Sequence, residues 1–200
     1  MSIQNIKAKI IGTTPLLQSN PQCVDRFNPF TKEIARINAK KTRRTDEDYR
    51  QLADLEIRSK VHWDEEDKQV FVPSSWVLAA ICKNSFTLAK LSKDKIRGSV
   101  FATDNKLPLA YRDMNKVKEL DDIVGNQVFR HPMNLKQGQV RILKYIPIFH
   151  EWSFDVELEF EDTQMDGDDL KRIIEYSAAY GGFGDFRPTF GRARAEVTHG

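Results

Sequence analysis

The segment GGFGDFRPTFGRARAEV, residues 181–197, carries the residue types best suited to holding a nucleic-acid strand. Its glycines are interleaved with Phe183, Phe186 and Phe190, and arginines stand at 187, 192 and 194. Gly182, Gly184 and Gly191 would let a phosphate approach the backbone and leave amides free to donate. Arg187 and Arg192 would add forked donors that never lose their charge. Phe183, Phe186 and Phe190 would offer planes to unpaired bases, each worth roughly 1–3 kcal/mol when a base stacks on it. The same residues also have a purely structural reading. Gly181 stands where a left-handed helix stop is expected. At least one of the phenylalanines is expected in the core. Arg192 and Arg194 alternate with Ala193 and Ala195, so they could project from a strand and balance acidic neighbours. Arg187 is the strongest single phosphate candidate, because Pro188 biases it toward an extended backbone.

A second basic run, KKTRR, offers Lys40, Lys41, Arg43 and Arg44. It could track a phosphate backbone, with affinity falling steeply as salt rises, or serve as a solubilising linker. Arg130 and His131, in FRHP, are further binding candidates, with Arg97, Arg112 and Lys136 nearby in sequence. The four histidines, His62, His131, His150 and His199, show no spacing that suggests an acid–base dyad. DGDD (166–169) reads as helix capping, Asp121–Asp122 has no partner histidine, and Cys23 and Cys82 lack metal-ligand spacing. No catalytic residue, metal or cofactor is expected.

The chain has 200 residues, a formal net charge of +2, 40% hydrophobic and 30% charged residues. These values suit one folded domain with a real core. No apolar run reaches the roughly 18 residues of a membrane span. The first ten residues lack the apolar stretch of a signal peptide, so a cytoplasmic location is expected. Charge falls in blocks: KKTRR, KLSKDKIR (90–97) and FGRAR (190–194) are basic, while DEED (64–67), DVELEFED (155–162) and DGDD are acidic.

The elements that must position these residues follow from periodicity. IQNIKAKIIG and EWSFDVELEFE alternate as half-buried strands. NPFTKEIARINAKK and TDEDYRQLADLE read as helices, the second capped by Thr45. IRSKVHWDEEDKQVFVP reads as two short strands around a charged turn. SSWVLAAICKNSF and DGDDLKRIIEYSAAY read as buried and amphipathic helices. Residues 97–137 are irregular, QVRILKYIPIF is a strand, and RARAEV is the last strand. The order is strand, helix, strand, strand, helix, strand, which predicts an α+β fold with a ferredoxin-like βαββαβ core and large insertions at 13–56 and 97–137. In that core the first and third strands are neighbours. Lys7 and Lys9 should then face Asp155, Glu157 and Glu159, each ion pair worth roughly 0.2–1 kcal/mol.

Two stretches together resemble a known family. VFVPSSWVLAAICKNS (70–85) resembles the segment that opens the first core helix of RAMP-superfamily proteins, which include the Cas7-type backbone subunits of CRISPR effector complexes. Val77 to Ala80 lacks the glycine usual there. AAYGGFGDFRPTFGRARAEV (178–197) resembles the glycine-rich loop near the C-terminus of the same superfamily. The match covers just under half of the chain. In general character the chain is also similar to small proteins of tailed bacteriophages, which would place it in a bacterial host cell.

The resemblance implies a single Cas7-like domain that binds single-stranded RNA or DNA without cleaving it and largely without regard to sequence. It implies assembly as a homo-oligomer, or with other Cas7-like subunits, along the strand. It carries the binding role onto Gly181, Gly182, Gly184, Arg187, Gly191 and Arg192, and it makes the insertions gripping elements. Two alternatives stand beside it. One is a phage protein that mimics or blocks a CRISPR subunit through protein contacts, with Trp63 the anchor to watch. The other is a Cas6-like RNA endonuclease.

Overall fold

Alternating apolar and charged residues set the sheet, and capping residues set the helices. In the computed structural model, which describes residues 2–199, IQNIKAKIIG forms β1 (Ile3–Gly12) with Ile6, Ala8 and Ile10 buried. A short β2 (Leu16–Leu17) follows, and Asn28 caps α1 (Pro29–Ala39). Thr45 opens α2 (Asp46–Lys60) with a reciprocal cap: its Oγ1 accepts from the Asp48 amide at 3.3 Å, and its own amide donates to Asp48 Oδ2 at 3.0 Å. β3 (Trp63–Asp64) and β4 (Gln69–Pro73) flank the acidic turn. α3 (Ser74–Ala89) ends at left-handed Lys90, and Ser92 caps α4 (Lys93–Ser99). Then come β5 (Val100–Ala102), β6 (Lys106–Pro108), α5 (Leu120–Val124), β7 (Arg130–Gln137), β8 (Val140–Phe149) and β9 (Ser153–Glu161). Asp166 caps α6 (Gly167–Tyr176), accepting from the amides of Asp168 and Asp169, and β10 (Ala193–His199) closes the path.

Contacts divide the chain into two compact units, each assembled from separated segments. Both mix helices with antiparallel strands, so the fold is α+β.

The first unit comprises, among the described residues, 2–16, 71–112 and 150–199. Its four-stranded sheet is ordered β10-β1-β9-β5, and α3 and α6 lie against that sheet. Trp152, just before β9, and Phe154, Val156, Leu158 and Phe160 within it are buried, as are Ile6, Ala8 and Ile10 of β1 and Leu170, Ile173 and Ile174 of α6. Each such side chain contributes roughly 1.5–3 kcal/mol by leaving water. The expected charge pairing is present. Lys7 stands opposite Glu157 with Nζ 3.2 Å from Oε2, Lys9 stands opposite Asp155, and Asn5 stands opposite Glu159.

The second unit comprises 17–70 and 113–149. These segments overlap the expected insertions, 13–56 and 97–137, without coinciding with them. β7 pairs along its whole length with residues 140–147 of β8, and α2 packs on β8. Two expectations need correction here. QVRILKYIPIF is indeed a strand, but it pairs with β7, outside the four-stranded sheet, whose place beside β9 goes to the short β5. Residues 130–137, expected to be irregular, form the full strand β7, because their partner is the neighbouring hairpin arm.

A buried polar layer holds α2 to β8. The Glu56 carboxylate accepts from Lys144 Nζ at 2.5 Å and from the Tyr145 amide at 2.8 Å, and Lys60 Nζ donates to the Tyr145 carbonyl at 2.6 Å. Among the described residues no helix is long and apolar enough to cross a membrane.

His62 is buried in this unit, its amide donating to the fully buried Gln18. Burial pushes its imidazole down to about 4, against an opposing hydrogen bond with the Ser19 backbone. Below the ordinary histidine value of 6.5, the unfolded chain takes up a proton that the native site refuses. Stability is therefore full above pH 6.5 and declines as pH falls toward 4, by roughly 3 kcal/mol at most. Urea denaturation across this window should show the decline, and His62→Gln should flatten it.

Candidate nucleic-acid interface

The glycine-rich loop begins where α6 widens. Residues Ser177–Gly181 form a π-type turn, tied to α3 by Asn84 Nδ2 donating to Ser177 Oγ at 2.9 Å and Ser177 Oγ donating to the Ala80 carbonyl at 3.1 Å. The turn ends one residue later than expected. Gly182, not Gly181, takes the positive φ of 71°, and its amide returns to the Ser177 carbonyl at 2.8 Å.

Phe183 then enters the core, 1% exposed, edge-on to Trp152 and Phe154 with ring centroids 6.4 and 5.6 Å away. It is an anchor, so its ring is not available to stack a base. Its amide donates to the Gly191 carbonyl at 2.8 Å, which closes the base of the loop, and the Gly191 amide donates to the Pro15 carbonyl at 2.8 Å. A Cβ at Gly191, where φ is 73°, would lie 1.8 Å from the Phe183 carbonyl oxygen. At Gly182 it would lie 3.0 Å from the Gly191 carbonyl oxygen. Both glycines are buried, and the close approach they permit is to their own chain. This corrects their assignment as phosphate contacts. The Arg192 backbone is also fixed. Its amide donates to Thr14 Oγ1 at 2.9 Å, and its carbonyl accepts from Thr13 at 2.8 Å.

The part of the loop between these ties faces outward. Arg187, Pro188 and Thr189 are exposed, Gly184 and Phe186 are half-buried, and both of the latter have positive φ, 73° and 55°. Among the described residues, the amides of Gly184, Asp185, Arg187 and Thr189 have no acceptor. The exposed guanidiniums of Arg187 and Arg192 have no ion-pair partner there either, whereas Arg194 pairs with Glu196 at 2.5 Å. One loop carboxylate, Asp185, opposes an anion, and it accepts from the Phe186 amide at 3.1 Å.

Beside the loop, a groove of about 420 Å³ is lined by Thr14, Tyr180, Pro188, Thr189 and Arg192. Tyr180 is 66% exposed, with its ring 4.8 Å from that of Tyr176. Sequence reasoning missed Tyr180 and Thr14. The four-residue spacing of Tyr176 and Tyr180 at a helix end was the available signal for an aromatic pair on one face.

In the second unit the basic run divides. Lys40 is bound to the buried Asp48 carboxylate at 2.5 Å. Arg44 donates to the Asn38 carbonyl at 3.0 Å, and its guanidinium lies 6.0 Å from the centre of the Tyr49 ring. These two hold α1 to α2 rather than projecting to a ligand. Lys41 and Arg43 remain exposed and unpaired among the described residues. Arg130 is likewise an internal tie, bonded to Asp54 and to the Val124 carbonyl with its side chain 10% exposed. His131 lies half-buried on β7 opposite Ile146. Among the described residues no cluster of three His, Cys, Asp or Glu could hold a metal.

No protein-family model matches the chain, and no curated protein matches it by sequence. Solved structures match it by fold. A chain of the type III-B Cmr-beta, in a cryo-electron microscopy structure bound to cognate target RNA, superposes with a TM-score of 0.55 at 8% identity. This likeness is one of fold. It covers 98% of the present chain but only 60% of the other, so this chain spans about three fifths of that relative. Cmr6 from Pyrococcus furiosus aligns over 98% of both chains at 12% identity, with a TM-score of 0.36. That superposition is too loose to bear on the fold.

The loop geometry makes a direct prediction. Gly191→Ala must relieve a clash with backbone as well as adopt a positive φ, and should lower stability by well over about 1 kcal/mol. Gly138→Ala, at φ 62° with nothing near the added carbon, should cost only the conformational strain, about 1 kcal/mol. Urea melts of the two variants, followed by tryptophan fluorescence, give the comparison.

Proposed function

We propose that the chain binds single-stranded RNA through the loop of residues 184–192, without cleaving it, as a subunit built on a ferredoxin-like core of the RAMP, Cas7-like kind. The carrying observation is the pair of exposed, unpaired guanidiniums of Arg187 and Arg192 on a loop with free amides, beside the exposed ring of Tyr180. Arginine forks and amides hold phosphates, and Tyr180 takes the stacking role expected of Phe183. Lys41 and Arg43 supply a second set of phosphate contacts. Among the described residues nothing resembles a base-reading helix, which supports binding largely independent of sequence.

The core reading is supported by the path β1, α3, β5, β9, α6, β10 and the strand order β10-β1-β9-β5, which together describe a βαββαβ unit. The choice of RNA, and of other subunits of the same fold as partners, is supported by the fold's likeness to a chain in an RNA-bound assembly.

Fluorescence anisotropy with labelled single-stranded RNA and DNA tests the reading. RNA should bind in a salt-sensitive way and be recovered intact. Arg187→Ala/Arg192→Ala should weaken binding at least tenfold and lower the salt slope by about 0.7 per arginine. Tyr180→Ala should cost roughly 1–3 kcal/mol of affinity. A folded protein that binds neither strand, or a double variant that binds as well as the parent, would overturn it.

A further inference from the structure

α3 and α4 of the first unit form a second surface that nucleic-acid binding does not use. α3 turns Ser75, Leu78, Ala79, Cys82 and Lys83 to one side, at the three- and four-residue spacing of a single helix face. Lys93 and Arg97 of α4 stand opposite, and the two walls enclose a shallow groove of about 330 Å³.

The floor is apolar and low. Leu78 is half-buried, Cys82 is buried, and the exposed Ser75 and Ala79, one turn apart, have small side chains. The rims are cationic. Lys83, Lys93 and the adjacent Lys95 are exposed, and none has an ion-pair partner among the described residues. Arg97 reaches only Asp94, at 3.6 Å, and both side chains are largely in water. Asp94 is the sole carboxylate between residues 83 and 97, against Lys83, Lys90, Lys93, Lys95 and Arg97.

We propose that this groove docks an acidic amphipathic helix of a partner protein. Small side chains one turn apart let a second helix approach closely, within the 8–10 Å usual between packed helices. The partner's apolar stripe covers Leu78 and Ala79, and carboxylates flanking that stripe meet the cations of both rims. An RNA strand fits less well, because the floor offers no aromatic plane for a base, and apolar floor area gives phosphates nothing. Phe86, the exposed aromatic further along α3, already carries Lys90, whose Nζ is 5.6 Å from the ring centre. The docking surface is independent of the RNA-binding loop.

The test uses the full chain and a fluorescent helical peptide with leucines at i, i+3, i+4 and i+7 flanked by glutamates. A scrambled peptide of equal charge and a lysine-flanked version serve as controls. The glutamate-flanked peptide should bind saturably, and neither control should match it. Lys83→Glu/Lys93→Glu should weaken it at least about tenfold. Ala79→Trp, at an exposed position that leaves the fold intact by circular dichroism, should block it. Lys118→Glu, at an exposed position of the second unit, should leave it unchanged, and all the groove variants should keep their RNA affinity. No binding by the parent chain, equal binding of the scrambled peptide, unchanged binding by the groove variants, or displacement of the peptide by single-stranded RNA would overturn the proposal.

Discussion

A buried indole must satisfy its one donor, and the way Trp152 does so organises the first unit. Its Nε1 donates to the Thr14 carbonyl at 2.7 Å, and its own carbonyl accepts from the Gly12 amide at 2.8 Å. Its ring stacks on Phe154 and receives the edge of Phe183. One residue thereby joins the end of β1, the start of β9 and the root of the glycine loop. The fit is close: a Cβ on Gly12 would fall 2.3 Å from the indole. An unsatisfied indole N–H in this position would cost about 1–3 kcal/mol, so the carbonyl of Thr14 is held where the ring needs it. Arg192 is placed as a consequence, because its backbone is bonded to Thr13 and to the Thr14 side chain.

Charge serves two purposes, and the structure separates them. Lys40, Arg44, Arg58, Arg130 and Lys144 are spent on carboxylates, carbonyls or rings within the second unit. Glu56, only 5% exposed, is tolerated because Lys144 and the Tyr145 amide both serve it; a buried carboxylate without such partners would be expelled or protonated. Lys41, Arg43, Arg187 and Arg192 have no such duty. Cations left free at the surface carry no structural role to account for them, which is why the functional reading rests on these and not on the whole basic content.

Much of this was legible in the sequence. Strict alternation in IQNIKAKIIG and EWSFDVELEFE marked two strands, and the expected order of elements made them neighbours with Lys7 and Lys9 facing the acidic residues of the other strand. Thr45 and Asp166 announced their helices. What stayed hidden depended on distant partners. β8 has the composition of any buried strand, and nothing local says that it pairs with β7. The three residues of β5 are too few to leave a periodic trace. In the glycine loop, pattern alone could not show which phenylalanine is drawn into the core or which glycines are needed by the chain itself. KKTRR reads as one basic run, yet its two ends, Lys40 and Arg44, are fixed by Asp48 and Asn38, contacts set by how α1 and α2 pack. Tyr180 lay within the stretch 178–197, just before the glycines, phenylalanines and arginines that read as ligand contacts.

The hydrogen bond between Phe183 and Gly191 sets the two ends of the loop side by side, with one end anchored in the core and the other held by Pro15. Everything from 184 to 190 is then an appendix whose length and composition the scaffold scarcely feels. Doubling such a loop adds only about 0.6 kcal/mol of closure entropy. Descendants of this chain can therefore exchange the tip wholesale, acquiring new ligand preferences by insertion or replacement while the sheet beneath stays as it is.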